Sequence, residues 1–129
     1  RAQSDLLPYC QKNEIATMTY SPLAAGFLTG KYAVGQEFPK GTRFDISPAH
    51  ADLYFNEQNF SIIQNLRDFS HETDISMPRL AMSWVLQRPD VSSVLVGART
   101  TAHLDNAIQA IKQPLNDNLI QRMNSWLRA

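Results

Sequence analysis

Apolar positions along this 129-residue chain change period several times, and the changes mark its elements. Leu6, Leu7 and Cys10 form a short stripe behind Ser4 and Asp5, and Asn13 can end it. Residues 4–13 therefore read as a helix, with Pro8 limiting where regular bonding begins. Ile15 to Tyr20 alternates only weakly, which suits a strand covered on both faces. Residues 33–58 contain Gly35, Pro39, Gly41 and Pro48 without a sustained period, and a connection of that length is usually functional or mobile. Ile62, Ile63, Leu66 and Phe69 predict a helix from about Phe60 to Glu72. A second follows Ser76, with Pro78 in its first turn, Leu80, Ala81, Trp84 and Val85 as its stripe, and Pro89 as its stop. Ser93 to Val96 is a short β-branched run ending at Gly97. Leu104, Ala107, Ile108 and Ile111 fall at i, i+3, i+4, i+7 of a further helix that Pro114 ends. The last helix starts near Asn116 or Asp117 and carries Leu119, Ile120, Met123, Trp126 and Leu127.

The order helix–strand–loop–helix–helix–strand–helix–helix predicts an α/β fold with parallel neighbouring strands joined by a crossover. Two such strands cannot make a stable sheet with both faces covered, so the pattern implies missing elements. There is no internal repeat.

Composition narrows the class. Hydrophobic residues make up 43% and charged ones 19%, with twelve basic residues against twelve acidic. That is ordinary globular composition, without a basic tract for nucleic acid or an anionic membrane. No apolar run approaches the ~20 residues of a membrane span, and no signal peptide is evident. Cys10 is the single cysteine, so an internal disulfide is impossible; a reducing, cytoplasmic setting and a buried, inert thiol are expected. A start at Arg1 rather than methionine points to a trimmed chain or a fragment.

Two segments carry candidate chemistry. Tyr20-Ser21-Pro22-Leu23-Ala24-Ala25-Gly26-Phe27-Leu28-Thr29-Gly30-Lys31-Tyr32 leaves the first strand in a sharp turn. Small residues, free backbone N–H groups and a cation there suit a phosphate-bearing ligand. Val94 to Thr101 leaves the second strand. Gly97 permits close backbone approach, Thr100 or Thr101 can cap the helix, and Arg99 offers a planar fork matched to phosphate. An ordinary strand-to-helix turn with a solvated arginine would use the same residues. Phosphate sites of (β/α)8 barrels lie after their last two strands, and a whole barrel has ~250 residues.

Tyr20 to Tyr32 resembles the YSPL-x-x-G-x-L-x-G-K-Y stretch of the aldo-keto reductases. Arg79 to Gln87 is similar to the helix before that family's last strand, and Val94 to Thr100 to its V-x-x-G-A-R/S-x turn. The likeness covers essentially the whole chain. It implies the C-terminal portion of a (β/α)8 barrel, a single segment over residues 1–129, with residues 33–58 as a lid. The implied activity is NADP(H)-dependent reduction of a small-molecule carbonyl. Tyr20 would stack on the nicotinamide. Ser21, Pro22, Leu23, Ala24 and Gly26 would line the pyrophosphate, with Lys31 as a point charge nearby. Arg43 would help close over the cofactor, and Gly97, Ala98 and Arg99 would hold the 2′-phosphate. The following helix departs from the family pattern of glutamine, two residues, then glutamate-asparagine. Here stand His103 and Asn106-Ala107. His103 can still donate to the phosphate and Asn106 can face the adenine, whereas Ala107 loses a hydrogen bond worth ~0.5–1.5 kcal/mol.

The family's catalytic aspartate, tyrosine, lysine and histidine belong to earlier strands, so no catalytic residue is assigned here. The preceding part of the barrel is an expected partner. With an end at Ala129, straight after the last helix, a long C-terminal substrate loop found in some branches of the family is expected to be absent unless it was truncated. His50 and His71 read as surface histidines, and with Cys10 they have no metal-site spacing. Glu57, Glu72 and Asp74 suggest no carboxylate pair, and Trp84 and Trp126 read as packing residues. Two other roles share these motifs: a nicotinamide-binding regulatory or channel-associated subunit, and a non-catalytic fragment serving as an interaction module.

Overall fold

The computed structural model describes residues 2–127; Arg1 and Ala129, on which the expectations about the chain ends rest, lie outside them. A π-helical turn over Ala2–Leu6 runs into α1 (Leu7–Lys12). β1 (Met18–Tyr20) follows, and a 3-10 turn over Ala24–Thr29 leads into the long connection. α3 (Glu57–Thr73) and α4 (Met77–Leu86) cross over to β2 (Ser93–Leu95), and α5 (Thr101–Lys112) and α6 (Asp117–Ser125) finish the described chain. The intervening α2 spans Arg43–Ile46. β1 and β2 pair in parallel, Met18 opposite Ser93 and Tyr20 opposite Leu95. Both strands therefore release their turns at the same end of the sheet.

Helix boundaries follow local chemistry. The side chains of Asn56, Ser76 and Asn116 accept from the N–H groups of Asn59, Arg79 and Leu119 and so cap α3, α4 and α6. α3 begins three residues before the expected Phe60 because Asn56 supplies that cap. β1 is shorter than the Ile15–Tyr20 run, since β2 starts only at Ser93; Thr17 O accepts the N–H groups of Ser92 and Ser93 where the ladder opens.

The core lies between the long connection and α3, α4 and α6 rather than under the sheet. Residues 33–58 contain α2 and a 3-10 turn at Pro48–Leu53, and their aromatics interlock. Phe44 is fully buried, 4.7 Å from the Tyr32 ring and 5.5 Å from Phe55 between centroids. The candidate lid is thus anchored at its root by contacts that no local periodicity displays. Trp84 donates from Nε1 to Asn124 Oδ1 at 2.8 Å, and Trp126 meets Phe69 edge-on, so both tryptophans pack as expected. Cys10 is buried, and His50 and His71 are exposed.

Two expectations fail within this chain. β1 is not covered on both faces: Met18 is 64% and Tyr20 79% exposed, because β2 is its only strand neighbour among the described residues. The predicted stripe of α5 is mostly open. Ala107 and Ala110 pack on α4, while Leu104, Ile108 and Ile111 face outward. Accordingly the surface is 8648 Å², against about 6,900 Å² for a complete globular chain of this mass. Among the described residues no helix is long and apolar enough to cross a membrane.

Candidate functional site

The first wall of the site is the turn after β1. Tyr20 presents its ring at the strand end, and Ser21 reverses the chain at φ 54°. Ala24 and Ala25 follow at φ 48° and 58°, and Gly26 at φ 91°. Left-handed backbone costs a non-glycine residue roughly 1–2 kcal/mol, and such strain concentrates at functional turns. The turn is held by Ser21 O and Leu23 O, which accept the N–H groups of Ala24 and Gly26. A Cβ on Gly26 would lie 2.9 Å from Lys31 Nζ, so the ammonium is folded over the bare backbone there. Lys31 also stands over the ring of Tyr32, 5.3 Å from its centroid. Behind this turn an apolar cavity of ≈ 280 Å³ is bounded by Thr19, Pro22, Trp84 and Trp126 among others.

The second wall is the turn from β2 into α5. Leu23 and Val96 pack on the same buried group, Met82, Ala107 and Ala110, which ties the two turns together. Gly97 faces open space, and Ala98 is exposed. Thr100 occupies the N-cap position of α5 without a side-chain cap bond. Instead His103, three residues on, accepts the Arg99 N–H at Nδ1, 3.2 Å away. The Arg99 guanidinium donates from Nη1 to Gly41 O at 3.1 Å, drawing residues of the long connection onto the second wall. Gly41 is itself fixed, because its N–H donates to Asp45 Oδ2 at 2.7 Å. Arg43, two residues from Gly41, is exposed, and its guanidinium has no hydrogen-bond partner among the described residues.

Asn106 is turned toward α4. Its Oδ1 accepts from Ser76 Oγ at 3.0 Å and its Nδ2 donates to Ala102 O at 3.0 Å. Ala107 is buried against Met82, where a longer side chain would have to displace α4. The structure therefore brings Ser21–Gly26, Lys31, Gly41–Arg43 and Gly97–His103 to one end of the sheet. Two features escaped the sequence. The Gly41–Arg99 contact spans 58 positions and leaves no local trace. The His103–Arg99 bond left only a partial one: Thr100 and His103 have the spacing of a capping box, but that motif would bind the Thr100 N–H, one residue short of Arg99.

The residues present fit a phosphorylated cofactor. Arg99 keeps its Nε–Nη2 edge without a partner among the described residues, and bidentate binding to phosphate uses such an edge. The first N–H groups of α5 lie beside it, uncapped by Thr100. Among the described residues no group of three or more His, Cys, Asp or Glu side chains could hold a metal ion.

Residues 1–128 match the Aldo/keto reductase family, and the chain belongs to that family. It is 30% identical to a probable voltage-gated potassium channel subunit beta of Arabidopsis thaliana, over 86% of this chain and 34% of that protein. It is 31% identical to an L-glyceraldehyde 3-phosphate reductase of Escherichia coli, over 84% of this chain and 32% of that protein. A glycerol dehydrogenase structure from Gluconobacter oxydans superposes with a TM-score of 0.71 at 24% identity, covering 98% of this chain and 38% of the other. The chain thus spans about a third of the length of the relatives it matches, and its fold is a portion of a (β/α)8 barrel.

Proposed function

We propose that this chain is the C-terminal portion of an NADP(H)-dependent carbonyl reductase and supplies much of its cofactor site. The observation that carries this reading is the joining of the two turns: β1 and β2 end side by side, and Arg99 reaches Gly41 across them. Tyr20 would form the nicotinamide end, Ser21, Pro22, Leu23, Ala24, Gly26 and Lys31 the pyrophosphate wall, and Gly97, Ala98, Arg99 and His103 the 2′-phosphate end. Arg43 would close over the phosphates, and Asn106 would reach the adenine only by leaving Ser76. The chemistry supplied by that cofactor is hydride donation to a carbonyl carbon. This chain's part is to bind and orient; the proton-donating residues would come from earlier strands. A small-molecule carbonyl compound is the substrate class, and a cytoplasmic setting suits the lone buried thiol. Steady-state oxidation of NADPH by the complete native polypeptide, across a panel of aldehydes and ketones, tests the reading. Turnover on the order of 1 s⁻¹ or faster on a good substrate is expected.

The similarity to a potassium channel subunit beta favours one second reading, a nicotinamide-binding regulatory subunit. Tight NADPH binding without turnover of any carbonyl compound would select it.

A further inference from the structure

We infer that His103 is a positioning residue that sets the preference for a 2′-phosphate by fixing the backbone of Arg99. The inference rests on the cofactor reading above and deepens it. Arg99 precedes the N-cap of α5, so no helical hydrogen bond restrains it. Gly97 and Ala98 are both exposed, and a Cβ on Gly97 would meet no atom within 4 Å, so packing contributes little to the shape of this turn. Among the described residues the Arg99 backbone N–H has one partner, His103 Nδ1. Acceptance at Nδ1 places the imidazole proton of the neutral ring on Nε2. The guanidinium is tethered separately, through Gly41 O, and Gly41 is itself held by its N–H, which donates to Asp45 on α2, whose Phe44 is buried.

Arg99 is therefore held from two sides before any ligand arrives, by its backbone and by Nη1. The edge left over, Nε with Nη2, is the one that grips a phosphate side-on. Fixing a long, rotamer-rich side chain in advance lowers the ordering cost of binding. Loss of the backbone tether should therefore weaken ligands that carry the 2′-phosphate and spare those that lack it.

The test uses the complete native polypeptide and reads dissociation constants for NADPH and NADH in the parent protein and in His103→Ala, His103→Asn and Arg99→Ala. Asparagine places an acceptor oxygen at the δ position but has nothing at the ε position. His103→Ala should lower the NADPH-over-NADH preference by about 2- to 12-fold, the range of one hydrogen bond, with NADH affinity unchanged. His103→Asn should restore the preference. An unchanged preference in His103→Ala, an equal loss for both cofactors, or an asparagine variant no better than alanine would overturn the positioning role. The last outcome would assign His103 a direct contact through Nε2. If Arg99→Ala keeps the preference, the 2′-phosphate assignment itself falls, and the positioning role falls with it.

Discussion

Arg99 donates to the carbonyl oxygen of Gly41 at 3.1 Å, joining the turn after β2 to a loop 58 positions earlier. The same guanidinium keeps a second edge for a ligand. Replacing it with alanine should therefore weaken NADPH far more than NADH. A charge-assisted hydrogen bond of ~1.5–3 kcal/mol corresponds to about 10- to 150-fold in affinity. Fluorescence titration with both cofactors measures it, and equal losses would remove the phosphate from Arg99.

Phe44 holds the root of the same loop, fully buried among Tyr32, Phe38, Tyr54 and Phe55. Phe44→Ala should cost about 3–5 kcal/mol of stability, seen as a lower urea midpoint in the complete polypeptide. Because α2 carries Gly41 toward Arg99 through Asp45, protease cleavage between Ala33 and Ser47 should also rise. Unchanged cleavage would mean that the loop does not depend on its aromatic root.

Glu72 and Arg122 form a two-pronged pair, with both nitrogen–oxygen distances 2.6 Å, on the exposed junction of α3 and α6. The hydrogen bonds from Arg122 hold the Glu72 carboxyl below its ordinary value, with charge attraction adding to them and burial opposing. A lowered folded value means that the pair's contribution is present above pH 4.5 and fades as pH falls through the folded midpoint. Carbon-13 titration should find the Glu72 midpoint depressed, and Arg122→Gln should return it toward the ordinary value. The same midpoint in both proteins would show the pair to be absent in solution. Solvent screening keeps the effect on stability small.

With no further strands against its sheet, the chain should associate. Among the described residues β1 and β2 each keep a free edge, and Met18, Tyr20 and Leu95 are exposed on these strands. Sedimentation of the isolated 129-residue chain should show oligomers or a broad, non-cooperative melt. A monomer with one sharp transition would contradict this.

Much of the fold was legible because its signals are local. Ser76 with Pro78 marked α4, Asn116 marked α6, and both strands fell on their β-branched or weakly alternating runs. The root of the long connection was not legible. Phe38, Phe44, Tyr54 and Phe55 stand at irregular spacings and become a core only when Tyr32 and Phe27 meet them from elsewhere in the chain. The stripe on α5 shows the other limit. Periodicity reveals that Leu104, Ile108 and Ile111 form a face, but not whether any neighbour covers it. In the candidate site, residue types were readable from the two turns, whereas the tether between Arg99 and Gly41 depends on the fold bringing them together.

The free edges of β1 and β2 have a thermodynamic corollary. If the rest of the barrel sits against them, a dinucleotide lying across the ends of β1 and β2 spans the seam as well as the pocket. Its binding energy then also works against separation of the two parts, raising their mutual affinity by the factor by which the joined form binds it better. Cofactor supply would then govern how firmly the two parts hold together.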